Sequence, residues 1–232
     1  MSAPSVWCVV PAAGRGTRVG GDCPKQYLML AGRPLIEHTL DRLLAHPKIA
    51  GLMVVLGKAD THWSGIGRRN GKPVMTTFGG AERSDSVLAG IGALPASVGA
   101  ADFVLVHDAA RPCVRLTDIG RLIEQGNCVD GGLLGAPLRD TLKLADENFR
   151  SALTEPRDHR WRAFTPQMFR RAQLAAALEQ AARDGVNVSD EAMAMERAGF
   201  APLLVEGAED NIKVTTAADF ALAEFLLSRT LG

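Results

Sequence analysis

Short apolar runs alternate with amphipathic stretches along most of the chain. Val6-Trp7-Cys8-Val9-Val10 has no polar interruption, the pattern of a strand covered on both faces, and gives way to a Gly-rich loop from 12 to 21. Ile36, Leu40, Leu43 and Leu44 then recur at i, i+4, i+7 and i+8, one face of a helix. Residues 52–56 predict the next strand, and 74–78 a weaker one behind a Gly/Arg-rich loop. Val87, Leu88, Ile91 and Leu94 form a second helix face. A strand over 103–106 stops at His107-Asp108, a helix covers 116–125, and 132–137 reads as a further strand. This alternation predicts βαβ units: an α/β, Rossmann-like, mostly parallel sheet flanked by helices.

Between residues 138 and 160 the rhythm breaks. Thr141-Leu142-Lys143-Leu144 alternates with period two, and Asp146-Glu147-Asn148 supplies turn chemistry before a second polar extended stretch. A β-hairpin projecting from the domain is expected there. Thr165-Pro166 then predicts the opening of a long Ala-rich helix, with Thr165 as N-cap and Pro166 at the first helical position. Ser189-Asp190-Glu191 starts another helix, 203–206 is a strand, 211–214 a short strand, and Thr216-x-x-Asp219 a capping-box-like start to the last helix. No internal repeat or low-complexity linker divides the chain. The expectation is one domain over 1–232, with 138–160 as an inserted arm.

Charge narrows the classes of partner. The 232 residues carry 26 Lys+Arg against 26 Asp+Glu, a formal net charge of zero, which argues against broad binding to nucleic acid or an anionic membrane. No apolar run approaches the roughly 18 residues of a membrane helix, and the start Met-Ser-Ala-Pro-Ser has no signal-peptide pattern. Cys8, Cys23, Cys113 and Cys128 form no C-x-x-C pair, and no His stands at zinc-ligand spacing from them. Cys8 reads as a small core residue, and a reduced, cytoplasmic protein is expected.

Candidate chemistry lies at the predicted strand ends. The first loop, Pro11-Ala12-Ala13-Gly14-Arg15-Gly16-Thr17-Arg18-Val19-Gly20-Gly21, offers small residues whose backbone N–H groups approach a phosphate closely. Its G-x-G-x-x-x-G spacing is one residue too long for the dinucleotide fingerprint, no acidic residue follows at ribose-binding distance, and Asp22 stands where a Walker A loop needs Lys. What remains is a turn carrying Arg15, Arg18 and Lys25, which a Gly turn with solvated charges also explains. Phe78-Gly79-Gly80-Ala81-Glu82-Arg83-Ser84-Asp85-Ser86-Val87 and His107-Asp108-Ala109-Ala110-Arg111-Pro112 follow two further strands. Ligands of open α/β sheets lie outside the carboxyl ends of the strands, so these three loops are expected to converge. Asp108 is a candidate Mg²⁺ ligand through oxygen; a helix cap or an ion pair with Arg111 is the competing role.

Taken together, P-A-A-G-x-G-x-R, P-K-Q-Y, G-G-x-x-R-x-x-S-V, V-H-D-A-A-R-P and D-N-I-K-V-T resemble the 2-C-methyl-D-erythritol 4-phosphate cytidylyltransferase family, over nearly the whole chain. Val19 stands where the family usually has Met. The resemblance implies a sheet of nucleotide-diphospho-sugar transferase type and transfer of a cytidylyl group from CTP to methylerythritol 4-phosphate, releasing pyrophosphate. It further implies that Arg18 and Lys25 stabilise the pentacoordinate α-phosphate, that backbone amides of Ala12, Ala13, Gly14, Arg15 and Gly16 cradle CTP, and that Gly80 and Ser86 read the cytosine edge. Asp108 would hold Mg²⁺, Arg157 and Lys213 the substrate phosphate, with Arg111, Thr141 and Thr165 as second contacts. A homodimer joined through the arm, with Arg157 reaching the partner's site, is implied likewise.

The residue chemistry suits such a transfer. A phosphate monoester is largely ionised at pH 7, its second pKa being about 6, so no general base is needed. The site must supply in-line positioning and charge neutralisation, which loops rich in Arg and Lys provide. The five histidines, His38, His46, His62, His107 and His159, form no credible triad. Three alternatives stay open: a sister enzyme acting on another phospho-alcohol such as ribitol 5-phosphate, an NAD-dependent oxidoreductase, and a silent nucleotide-binding module. Thr165 is also explained as a helix cap, and Arg157 as a solvated charge.

Overall fold

The computed structural model describes residues 5–14 and 23–230. In chain order the strands are β1 (Val6–Ala12), β2 (Met29–Leu30), β3 (Arg33–Pro34), β4 (Ile49–Leu56), β5 (Arg68–Arg69), β6 (Lys72–Phe78), β7 (Phe103–Val106), β8 (Gly132–Pro137), β9 (Leu142–Ala145), β10 (Ser151–Glu155), β11 (Trp161–Arg170) and β12 (Leu203–Glu206). The helices are α1 (Leu35–Ala45), α2 (Arg83–Gly92), α3 (Leu116–Gly126), α4 (Arg171–Arg183), α5 (Glu191–Arg197) and α6 (Ala217–Thr230). Eight strands form one sheet in the order β12-β8-β11-β7-β1-β4-β6-β5. β1 runs parallel to β4 and β7, β4 to β6, and β12 to β8, while β11 is antiparallel to β7 and β8.

The uninterrupted apolar character of β1 follows from its place in the middle of this sheet. Cys8 and Val10 pack on one face with Ile36, Leu40, Leu43 and Leu44 of α1 and Ile119, Leu122 and Ile123 of α3. Val9 faces the other way, among Val87 and Ile91 of α2, Leu174 and Leu178 of α4, and Met195 of α5. Each side chain therefore meets a helix, whichever way the pleat points it. Gly90 lets α2 lie close against the sheet, because a Cβ there would stand 2.5 Å from Val9 Cγ1 and 2.7 Å from Val55 Cγ2. A third apolar cluster joins Leu30, Leu35, Ala110 and Cys113 to Val214, Ala223 and Leu227, so that α6 clamps the segment before it beside the end of β7.

Two sequence expectations fail. Thr165 and Pro166 do not open a helix: they lie inside β11, joined by a cis peptide bond, and α4 begins at Arg171 without a side-chain cap. Phe164 to Phe169 are buried between β7 and β8, and sheet pairing outweighs the local Thr-Pro signal. The ladder to β8 is interrupted between Ala163 and Gln167, so the N–H that Pro166 lacks falls at the break. Residues 211–214 form no strand; a backbone bond from Val214 N–H to the Ala110 carbonyl at 2.8 Å ties them to the loop after β7, and Asn211 bonds to β11 through its side chain.

The hairpin is present. β9 and β10 pair antiparallel as a separate two-stranded sheet. Asp146 Oδ1 accepts from the N–H groups of Asn148 and Arg150, each at 2.9 Å, which closes the turn. Leu144, Phe149 and Leu153 are exposed on it.

Candidate active site

The loops after β1, β6 and β7 meet in a cleft of about 230 Å³, lined by Ala12, Ala13, Gly14, Lys25, Gln26, Gly80, Glu82, Arg83, Ser86, Asp108 and Lys213 among others. A second hollow of about 840 Å³ adjoins it, sharing Ala13, Gly14, Gln26, Gly80 and Ala81 and bounded by Gly57, Lys58, Asp60 and His62. Together they have the size and position of a ligand crevice at the carboxyl ends of parallel strands.

Local chemistry shapes each wall. A Cβ on Gly79 would lie 2.4 Å from Ser86 Oγ and 2.9 Å from Ala13 Cβ, so only glycine lets the loop after β6 come this close to the loop after β1. The start of α2 is a capping box: the Glu82 side chain accepts from the third helical N–H, and Asp85 Oδ2 accepts from Glu82 N–H at 3.1 Å. Ser86, buried, donates back to the Glu82 carbonyl at 3.1 Å. Lys25 opens a 3-10 turn over Lys25–Tyr27, and Gln26 Nε2 fixes that turn to the end of β1 by donating to the Ala12 carbonyl at 2.7 Å.

Asp108, only 7 % exposed, forms the electrostatic centre. Its Oδ2 lies 2.9 Å from Lys213 Nζ and 3.5 Å from Arg111 Nε, and its Oδ1 accepts from Arg83 Nε at 3.1 Å. Burial pushes the carboxyl pKa up, but the charges of Arg83, Lys213 and Arg111 outweigh it and hold the group well below the usual carboxylate range. Behind it, Thr165 Oγ1 accepts from Asp108 N–H at 3.0 Å and lies 3.0 Å from His107 Nδ1. His107 Nε2 is 3.1 Å from the Arg111 carbonyl, which only accepts, so Nε2 carries the ring proton. Burial pushes His107 down to about 4. The neutral ring therefore accepts at Nδ1, and the single hydroxyl proton of Thr165 is donated to it.

The structure sorts the residues expected at the site. Ala12, Ala13, Gly14, Lys25, Gly80, Ser86, Asp108 and Lys213 share the cleft. Arg15, Gly16 and Arg18 lie outside the described residues. Arg111 and Thr165 are buried behind Asp108 rather than lining the cleft; Arg111 Nη1 donates to the Asn211 carbonyl at 2.6 Å, and Asn211 Nδ2 to that of Thr165 at 2.8 Å. Thr141 and Arg157 are exposed on the arm, where Arg157 Nη1 donates to the Arg139 carbonyl, and neither lines the cleft of its own chain. His38, within α1, and His46, directly after it, are buried, bonded to Leu30 O and Lys48 N–H, and are structural.

Sequence reasoning assigned no role to Arg83, Glu191, Gln26 or Asn211. Arg83 stood within a quoted motif, and its position three residues after a Gly pair at a helix start was the available signal. Glu191 was masked by its neighbour: in Ser189-Asp190-Glu191 a helix start accounts for every residue, although Glu191 is fully buried.

A mostly parallel sheet with small-residue loops at its carboxyl edge, two lysines and an acidic strand end in one cleft defines a nucleotidyltransferase. The family model for 2-C-methyl-D-erythritol 4-phosphate cytidylyltransferase, IspD, matches residues 6–229. The chain belongs to that family and is an enzyme of CTP-dependent cytidylyl transfer in isoprenoid biosynthesis. It is 59 % identical over 229 residues to the family's enzyme from Stenotrophomonas maltophilia (strain K279a), covering 98 % of this chain and 99 % of that one. With the protein of the same name from Xanthomonas euvesicatoria pv. vesicatoria (strain 85-10) it shares 58 % identity over 231 residues, 98 % of this chain and 87 % of the other. Among solved structures, the Francisella tularensis enzyme superposes with a TM-score of 0.82 at 32 % identity, covering 96 % of this chain and 99 % of that one. The Thermus thermophilus enzyme gives 0.78 at 31 % identity, with 97 % and 99 % covered.

Proposed function

We propose that the cleft divides the reaction between named groups as follows. CTP lies across the ends of β1 and β6, its base against Gly80 and Ser86 and its phosphates toward the loop after β1 and Lys25. The phosphate monoester of methylerythritol 4-phosphate sits against Lys213. A monoester oxygen attacks the α-phosphorus in line, the bond from that phosphorus to the bridging oxygen breaks, and pyrophosphate leaves with the electron pair. Lys25, together with Arg18, neutralises the charge that builds on the α-phosphate. The observation that carries this reading is the convergence of Lys25, Lys213 and Asp108 on one cleft. NAD chemistry has no support in the loop spacing, and a silent binder has no use for two cleft lysines.

A divalent cation fits the donor set. Asp108 is a hard oxygen donor lining the cleft, the ligand type that Mg²⁺ takes. No group of three or more His, Cys, Asp or Glu that would hold a metal alone exists among the described residues, so the ion would be shared with nucleotide phosphates, as Mg²⁺ prefers. When bound, Mg²⁺ supplies charge neutralisation on the triphosphate.

The arm supports a homodimer. A two-stranded ribbon with exposed Leu144, Phe149 and Leu153 is marginal alone in water and is stabilised by a two-fold mate. In that assembly Arg157 and Thr141 complete the site of the partner subunit, which explains why they lie off their own cleft. Four free cysteines among the described residues suit a reducing cytoplasm.

The deciding assay is pyrophosphate release from CTP or UTP with methylerythritol 4-phosphate or ribitol 5-phosphate. Release is expected with CTP and methylerythritol 4-phosphate; preference for ribitol 5-phosphate would move the assignment to the sister activity.

A further inference from the structure

Glu191 is fully buried at the first position of α5, and both its oxygens are spent on one partner: Arg83 Nη1 at 2.6 Å and Nη2 at 3.1 Å. The other edge of the same guanidinium meets Asp108 Oδ1 at 3.1 Å. Asp108 Oδ2 is thereby turned to Lys213 Nζ, 2.9 Å away in the cleft. From α5 to the ligand crevice the charges alternate without a gap: Glu191, Arg83, Asp108, Lys213. We propose that Arg83, anchored by Glu191, is a positioning residue that sets the Asp108 carboxylate and, through it, the Lys213 ammonium. The inference rests on the reading of Lys213 as the group that holds the alcohol phosphate.

No local role accounts for Glu191. The start of α5 is capped by Asp190, whose Oδ1 accepts from Met193 N–H at 2.9 Å. It is tied to β11 by Gln167, which accepts from Ala192 N–H at 2.8 Å and donates to Asp190 at 3.0 Å. A buried carboxylate carries a desolvation cost that apolar packing would avoid. What the carboxylate adds is direction. The guanidinium is planar and its fork rigid, so fixing one edge on Glu191 fixes where the Nε edge points. A lysine at this position would be a point charge on a flexible stem and would not transmit that orientation. The arrangement also serves the moment of substrate binding. When Lys213 turns to a phosphate, Arg83 and Arg111 keep Asp108 neutralised, so the lysine is released without exposing a bare buried carboxylate.

Five variants of the enzyme test this: Arg83→Gln, Arg83→Lys, Glu191→Gln, the double Arg83→Gln/Glu191→Gln, and Arg83→Gln combined with Lys213→Ala, with Lys213→Ala as reference. Steady-state kinetics and thermal midpoints are measured for each. Arg83→Gln is expected to lower kcat/KM for the alcohol phosphate about a hundredfold while the KM for CTP stays within about threefold, and Glu191→Gln to cost about tenfold. The neutral double pair regains the thermal midpoint but not the activity, and Arg83→Lys does not rescue. Arg83→Gln combined with Lys213→Ala is no worse than Lys213→Ala alone, because one acts through the other. Recovery of activity together with stability in the neutral pair, or additive losses with Lys213→Ala, would overturn the inference. Normal kinetics in Arg83→Gln beside a crippled Lys213→Ala overturns it alone; normal kinetics in Lys213→Ala overturns the underlying reading of the site as well.

Discussion

Tyr27 Oη donates to Asp60 Oδ2 at 2.7 Å, tying the turn that carries Lys25 to the loop that leaves β4. Asp60 is itself held, since its Oδ1 accepts from His62 N–H at 2.9 Å and Trp63 N–H at 3.1 Å. The His62 ring stacks on Tyr27 with centroids 5.4 Å apart. Burial first, then the hydrogen bond and charge of Asp60, drive the Tyr27 phenol far above its ordinary pKa.

Removing one oxygen probes this brace. Tyr27→Phe is expected to lower kcat about tenfold, the worth of one net hydrogen bond of about 1 to 1.5 kcal/mol, with the KM for CTP little changed. Because Tyr27 is the chain's single tyrosine, its phenolate absorbance reports the bond directly. Native protein should show none near pH 11, and Asp60→Ala should bring it to lower pH; unchanged kcat in Tyr27→Phe would dismiss the brace.

Lys25→Ala should cut turnover far more than CTP affinity, because its charge matters most when the α-phosphate gains negative charge. The loss of such a contact costs about 3 kcal/mol, a hundredfold or more in kcat. A raised KM for CTP at constant kcat would make Lys25 a ground-state contact instead.

Chelation provides the metal test. Activity is expected to vanish in excess EDTA and return with Mg²⁺, and Asp108→Asn should raise the Mg²⁺ needed for half-maximal rate about tenfold or more. Full turnover in EDTA would remove the ion from the scheme.

Sharing of the site between subunits is measurable by complementation. Inactive Lys25→Ala and Arg157→Ala proteins, mixed and allowed to exchange, form heterodimers in which one site collects both defects and the other neither. With about half the dimers mixed, about a quarter of wild-type activity should reappear. Exchange without recovery would place Arg157 in its own chain's site.

Stability should fall in mild acid, where the unfolded chain protonates histidines that the fold buries neutral. Burial holds His38, His46 and His107 below their ordinary 6.5, His107 at about 4. The unfolded chain takes up these protons below 6.5 and the folded chain resists, so stability is full above pH 6.5 and lost as pH falls toward 4. At about 1.4 kcal/mol per unit, His107 accounts for about 3 kcal/mol of that loss. Thermal midpoints should therefore drop from pH 7 to pH 4.5, less steeply in His46→Asn; a flat profile would contradict the burial of neutral imidazoles.

The chain's periodicity by itself determined the α/β architecture, since a strand buried on both faces reads as an unbroken apolar run and a helix on a sheet as a 3.6-residue stripe. It likewise determined that the chemistry sits where those runs end, in loops whose Gly, Lys and Asp have no packing use. Tertiary structure alone decided the rest. Thr165-Pro166 carries the local signature of a helix start, yet the buried run that follows pairs with β7 and β8, and ladder bonds on both sides of the break outweigh one cap. That Arg111 and Thr165 are buried around Asp108 was likewise decided by the fold. Glu191 and Arg83 stand 108 positions apart, and no spacing rule reaches that far. A pattern along the chain records which face each residue turns to its neighbours; only the assembled fold fixes which distant charges meet, because burial forces each to find a partner.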